Sequence, residues 1–214
     1  MADSNQPLPR GPGRPPLRSE DETRALIISA AAHAFLENGY IRTGIDTIAR
    51  DAGVSTRTLY KLFAAKEDLL KEAMEARIGA AFGSLDAART SDTDPRASLE
   101  ALLLGYARLA LSDEAIRLTR LVAAERHEVP ALAESYRQAT ARITGVFEAW
   151  VLEQQKSRFI QEGRAETFAH LLRGTINEVQ RQILLGLRDP LTADEQREWV
   201  KASVSVLLDG LAFR

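Results

Sequence analysis

Apolar residues recur along this chain at intervals of three and four, never in sustained alternation, so the pattern predicts helices throughout and no strand. Leu99, Leu102, Leu103, Tyr106, Leu109 and Ala110 share one helical face. Ser112-Asp113-Glu114 starts another helix, which runs through Leu118, Leu121 and Val122 to about His127. Pro130 opens a long helix carrying Leu132, Tyr136, Ala139, Ile143, Phe147, Trp150 and Val151. Phe168 to Leu187 and Trp199 to Leu211 complete the C-terminal set. Upstream, a helix from about Lys66 to Ala88 carries Leu69, Leu70, Ala73, Ile78 and Phe82. The turn-rich segment RTSDTDPRA (89–97) ends it, with Pro95 suited to a first helical position. The fold class read from this pattern is all-α.

One stretch departs from long helices. Residues 43–66, TGIDTIARDAGVSTRTLYKLFAAK, have the spacing of a helix-turn-helix. Ile45, Ile48 and Ala49 share a face of the first short helix, and small Ala49 lets a second helix cross close. Gly53 falls where the chain must turn sharply, and Val54 and Leu59 anchor the second helix. Thr43 stands at the expected N-cap of the first helix with Asp46 three residues on, and Ser55 at that of the second. So small a unit cannot be stable alone; its use is to present Ser55, Thr56, Arg57, Thr58, Tyr60 and Lys61, groups that bond phosphates and base edges. Arg57, Lys61 and Lys66 have no acid among them. A buried structural turn has no use for so many cations and hydroxyls on one surface. Arg57 and Thr56 are the candidates for base edges, and Thr43, Tyr60, Lys61 and Lys66 for phosphates.

Residues 24–70 resemble the N-terminal domain of the TetR family of transcriptional regulators. The likeness lies in Ala31, Phe35 and the Asn38-Gly39-Tyr40 ending of the first helix, then T-x-I-x-x-I-A-x-x-A-G-V-S, L-Y-x-x-F and K-E-x-L. It implies an all-helical homodimer with a divergent C-terminal domain that binds a small effector or sometimes a partner. Three residues depart from the family pattern. Gly44 replaces a usual Ser or Thr and weakens the first turn; Leu62 replaces a frequent His or Tyr; Ala65 replaces a common Ser, so the next helix needs another cap. The run from Ala124 to Ala139 more faintly resembles regulators related to efflux-pump control.

The N-terminus changes the picture. PLPRGPGRPPLR sets Arg10, Arg14 and Arg18 among Pro and Gly, a composition that packs no core. Gly13-Arg14-Pro15 resembles an AT-hook, which lays an extended Arg in a narrow minor groove. A solubilising tail is the other reading. The division that results is an arm over 1–20, a reader domain over 21–81 with its motif at 44–63, and an effector-binding and dimerisation domain over 82–214. A net charge of −2 does not argue against DNA, because the local field at the binding face decides. The absence of cysteine excludes disulfides and thiolate sites. No apolar run reaches membrane-span length and no signal-peptide pattern opens the chain, so the expected location is the cytoplasm, with no membrane partner.

Two stripes suit a dimer as well as a core: Phe168, Leu171, Leu172, Ile176, Val179, Ile183 and Leu184, and then Val200, Val204, Leu207, Leu208 and Leu211. Dimerisation predicts a palindromic double-stranded operator. Tyr106, Tyr136, Phe147 and Trp150 are the candidates for an effector pocket taking an apolar or aromatic molecule, against the plainer reading that they are core. Arg117, Asn177 and Gln180 are polar residues on apolar helices that could anchor such a ligand. Glu166 and His170 share a face but lack a third ligand, and no nucleophile elbow, Walker loop or dinucleotide fingerprint is present. No metal, cofactor or catalytic residue is therefore expected. The function expected is a ligand-responsive repressor; the alternative is an architectural helix-turn-helix protein with no ligand.

Overall fold

The structure, a computed structural model, describes residues 18–90 and 94–211, without the side chains of 77–82, 84, 87–90, 210 and 211. Arg14 and the rest of the arm before Arg18, together with the side chains of Ile78, Phe82 and Leu211, lie outside that description. The described residues form nine α-helices and no strand: α1 (Glu20–Asn38), α2 (Ile45–Asp51), α3 (Thr56–Leu62), α4 (Lys66–Thr90), α5 (Pro95–Ala110), α6 (Asp113–Glu125), α7 (Pro130–Lys156), α8 (Ala165–Leu184) and α9 (Ala193–Leu211).

Local chemistry sets most of these boundaries. Ser19 and Glu22 close a reciprocal capping box on α1, with amide-to-side-chain distances of 3.1 and 2.8 Å. Asp94 caps α5 with Pro95 in its first turn, and Ser112 caps α6. The amide of Ala65 finds its acceptor in Asp68, 3.1 Å away, which meets the need left by the missing Ser. The final helix starts at Ala193, six residues before Trp199.

Two apolar cores hold the helices. The first joins Ile27, Ala31 and Phe35 of α1 to Ile48 and Ala49 of α2, Leu59 of α3 and Leu69 and Leu70 of α4. Leu121 and Val122 of α6, with Val129 and Leu132, complete this same core. Each such large side chain contributes about 1.5–3 kcal/mol by leaving water. The second core gathers Leu99, Leu102 and Leu103 of α5, Phe147 and Trp150 of α7, Leu172, Ile176 and Val179 of α8, and Val204 and Leu208 of α9. Ile116 of α6 joins this second core, so α6 belongs to both halves.

That packing divides the expected dimer stripe between core and surface. Leu172, Ile176, Val179, Ile183, Val204 and Leu208 are buried within their own chain, and Phe168 and Leu207 pack partly against the same core. Phe168 rests on Gly163, where a Cβ would sit 2.8 Å from its ring. These side chains are spent on folding. Among the described residues of α8 and α9, the large apolar side chains that stay exposed are Leu171, which belongs to the expected stripe, and Val206, two positions from Val204, at 52 and 74% exposure.

Candidate functional site

The reader surface is built by α2, α3 and the turn between them. Gly53 takes φ +67°, a left-handed conformation that a side chain would strain, and the amide of Val54 bonds the carbonyl of Ala49 at 2.9 Å to tie the turn back on α2. Ser55 then caps α3, accepting from the amide of Thr58 at 3.1 Å. With its N-terminus fixed and Leu59 driven inward, α3 turns Arg57, Tyr60 and Lys61 to solvent, with Thr56 and Thr58 half-buried. Arg57 has no ion-pair partner among the described residues. Lys61 does: its Nζ lies 2.8 Å from Glu20 at the start of α1 and holds that carboxyl below its ordinary range.

Two of the sequence assignments do not survive this geometry. Thr43 neither caps α2 nor faces outward. Gly44 occupies the N-cap with no side-chain bond, while Thr43 is buried with its hydroxyl 2.6 Å from the Gly39 carbonyl and 3.0 Å from that of Ala34. It latches the end of α1. Lys66 also turns inward. Its ammonium donates to the Tyr40 carbonyl and sits 4.2 Å from the centre of the Tyr40 ring, where burial pulls its pKa down. Ser55 and Thr58 share a hydroxyl contact of 2.8 Å, so their oxygens are partly engaged before any ligand arrives.

α6 locks onto this reader. The carboxylate of Glu125 accepts from the amides of Tyr40, at 3.0 Å, and Ile41, at 3.3 Å, in the segment between α1 and α2. Gly39 beside them takes φ +82°, and a Cβ there would stand 2.7 Å from a Glu125 oxygen. Arg117 of α6 pairs with Glu37 of α1 and with Asp113.

The other end of α6 borders a cavity of about 700 Å³. Ala115, Leu118 and Thr119 of α6 face it, as do Tyr106 and Leu109 of α5, Tyr136, Ala139 and Ile143 of α7, and Arg173, Asn177 and Gln180 of α8. Of the four aromatic candidates, Tyr106 and Tyr136 are in the wall. Phe147 and Trp150 are not: Phe147 packs edge-on to Tyr106, and Trp150 is buried with its indole N–H donating to Ser98 at 2.8 Å. Asn177 and Gln180 line the cavity, whereas Arg117 is engaged with Glu37 and Asp113 outside it. Thr119 donates to the Ala115 carbonyl, so the 3.0 Å contact with Tyr136 has the phenol as donor.

Arg173 is the feature that the sequence reading missed. Only 4% exposed, its guanidinium donates to the hydroxyls of Thr144 and Tyr106, the latter at 3.1 Å, and its Nε has no acceptor. Burial raises the pKa of Tyr106, which donates in turn to Asn177. The signal was a basic residue between Leu172 and Ile176 on the inward face of an amphipathic helix. Among the described residues no group of three His, Cys, Asp or Glu could hold a metal ion, and no helix is long and apolar enough to cross a membrane.

A short capped helix offering a free arginine beside a sharp glycine turn, carried on a helical body with its own cavity, defines a helix-turn-helix transcriptional regulator. Residues 27–73 match the model for bacterial regulatory proteins of the tetR family, and residues 97–210 match that for the C-terminal domain of AefR-like transcriptional repressors. The chain is 30% identical to the transcriptional repressor KstR2 of Rhodococcus jostii over 195 residues, 88% of this chain and 91% of that one. It belongs to the TetR family. The likeness to the transcriptional activator FasR of Mycolicibacterium smegmatis is 33% over 86 residues, 40% of this chain and 39% of FasR. A crystal structure of a TetR-family regulator from Mesorhizobium loti superposes with a TM-score of 0.83 at 22% identity, over 92% of this chain and all of that one.

Proposed function

We propose that the chain is a ligand-responsive repressor, not an enzyme, acting in the cytoplasm as a homodimer on a palindromic operator. The observation that carries this reading is α6. Leu118 and Thr119 face the cavity while Glu125, at the same helix's far end, holds the amides on which the reader's first turn depends. A ligand that displaces α6 displaces the reader. To release DNA it must bind the displaced state more tightly, since equal affinity shifts nothing. The route is thus α6 as well as the fourth helix, which α1 and α7 both contact.

In this reading Arg57 and Thr56 meet base edges, and Tyr60 and Lys61, with the partly engaged Ser55 and Thr58, meet phosphates. Arg14 would reach the minor groove. One short helix contacts few base pairs, so two copies about 34–36 Å apart are needed for selectivity. The outward faces of α8 and α9, with Leu171, Gly174, Ala202 and Val206, are the surface left for a two-fold contact.

The test is a shift assay of the purified chain against DNA from its own upstream region, with a salt titration and random-sequence competitor. Binding to a short palindrome that survives competitor is the expected result. Weak, strongly salt-dependent binding to all DNA alike would overturn the reading in favour of an architectural protein.

A further inference from the structure

We infer that the cavity selects a small molecule carrying a single carboxylate, held by Arg173, with an apolar body lying against Leu109, Leu118 and Ile143. This rests on the ligand-responsive reading above and adds the ligand's chemistry to it.

Burying a guanidinium is costly unless charge and hydrogen bonds compensate it. Arg173 is 4% exposed, yet no carboxylate lies within ion-pair distance of it among the described residues. What it touches is neutral: the hydroxyls of Thr144 and Tyr106, and the face of the Tyr106 ring 5.2 Å away. A guanidinium has five N–H donors, and these contacts use two. Nε is among the remainder, buried and without an acceptor. Nε is itself closed off from solvent, so the donors left to a carboxylate in the cavity are the second hydrogens of the two Nη groups, which can meet it through two parallel bonds. Its neighbours hold it in place: Tyr106 donates to Asn177, and its oxygen is thereby turned to accept from Arg173.

The count of charges narrows the ligand. Among the described residues lining the cavity, Arg173 is the one cation and Glu114 the one acid, and Glu114 already has a partner of its own. A phosphate dianion would bring two negative charges to a described wall whose single cation is Arg173 and whose acid is Glu114. A monoanion matches. The rest of the wall is mostly alanine, leucine, isoleucine and tyrosine rings, which suits a hydrocarbon or aromatic body.

The test is calorimetry on the full-length chain without DNA. The probes are straight-chain acids from hexanoate to tetradecanoate and one- and two-ring aromatic acids, each paired with the alcohol that lacks only the charge. The expected result is that at least one acid binds ~10-fold or more tighter than its alcohol, as a charge-assisted pair in a buried site requires. In R173M that preference should fall below roughly threefold, with the alcohol's affinity kept. If R173M fails to fold, N177L, which loosens the Tyr106 that positions the guanidinium, should reduce the same preference. An alcohol that binds as well as its acid, a preference that survives R173M, or binding by no acid of either series would overturn the inference. The shift assay separates the two readings. An acid that binds through Arg173 but leaves the operator bound upholds the carboxylate site and overturns ligand release. An alcohol that releases the operator as well as its acid does the reverse.

Discussion

Lys66 in the reader and Arg173 in the effector half are both cations drawn away from water, and they differ in what meets them. Lys66 donates to the Tyr40 carbonyl and lies over the Tyr40 ring, with Glu67 and Glu125 close enough to favour its charge. Arg173 meets two neutral hydroxyls, keeps an unpaired Nε, and borders open space. A buried charge that its own chain satisfies is a structural part. One that its chain leaves short of a partner marks a place where something else belongs. By that measure Lys66 is satisfied before the reader meets DNA, whereas Arg173 is the position where the proposed ligand would complete the site. Each prediction below probes one side of that contrast.

The largest effect should come from the surface that neither core uses. Val206→Asp places a charge on the outward face of α9, where the side chain is 74% exposed, and should leave the fold intact while breaking the dimer. Losing the second reader costs the avidity of two linked contacts, on the order of 100-fold or more in operator affinity. Sedimentation should report monomers, and the shift assay the lost affinity. Leu208→Asp, two residues on and 1% exposed, should instead unfold the chain. A dimeric Val206→Asp protein would remove this face from the proposal.

Next comes Arg57→Ala. The side chain is exposed and unpaired, so its loss should leave thermal stability within about 0.5 kcal/mol. Operator affinity should drop by about 1–3 kcal/mol and sequence preference should relax. Unchanged operator binding would assign base reading to another residue.

The reader is legible in the chain because local chemistry dictates it. Gly53, the Ser55 cap and inward Leu59 each act within a few residues of the turn they make. The sequence reading failed where a rotation of one residue decides the outcome. Successive helical positions differ by about 100°, which separates buried Leu172 from exposed Leu171 although the stripe read from the sequence holds both. Periodicity says which face turns inward, and an inward face can meet either side chains or space. Trp150 and Tyr136 have the same spacing on α7, yet one fills a core and the other borders a cavity. Thr43 was misplaced for a related reason, since Gly44 cedes it no cap and the hydroxyl finds the carbonyls of Gly39 and Ala34 instead.

Lys66 sharpens the comparison from the reader side. A lysine held for phosphate would weaken binding to all sequences alike when removed, and lower the salt slope by about one. A lysine already spent on the Tyr40 carbonyl should do neither. Lys66→Met is therefore expected to cost about 1–2 kcal/mol of stability through the lost charged hydrogen bond, with the salt slope unchanged. Chemical denaturation and a salt titration measure the two. A slope that falls by one with stability intact would return Lys66 to the DNA face.

Lys61 is the opposite case, a cation whose partner is only borrowed. It is exposed, and its bond to Glu20 at 2.8 Å lies in water. Such pairs contribute little to folding, and this one must open before Lys61 can reach a phosphate. Glu20→Gln removes that competitor while keeping the first turn of α1, whose cap is Ser19 with Glu22. Operator affinity should rise by roughly two- to fivefold at low salt, and the gain should shrink as salt screens both contacts. Acid should mimic the substitution. Lys61 lowers the Glu20 pKa, so the pair is present above the ordinary carboxyl range and is lost as pH falls through the depressed value. The wild-type and Glu20→Gln proteins should therefore converge in affinity as the solution is acidified. If they stay apart at every pH, or if the substitution weakens binding, Lys61 does not reach the backbone and α3 reads DNA through Arg57 and its hydroxyls alone.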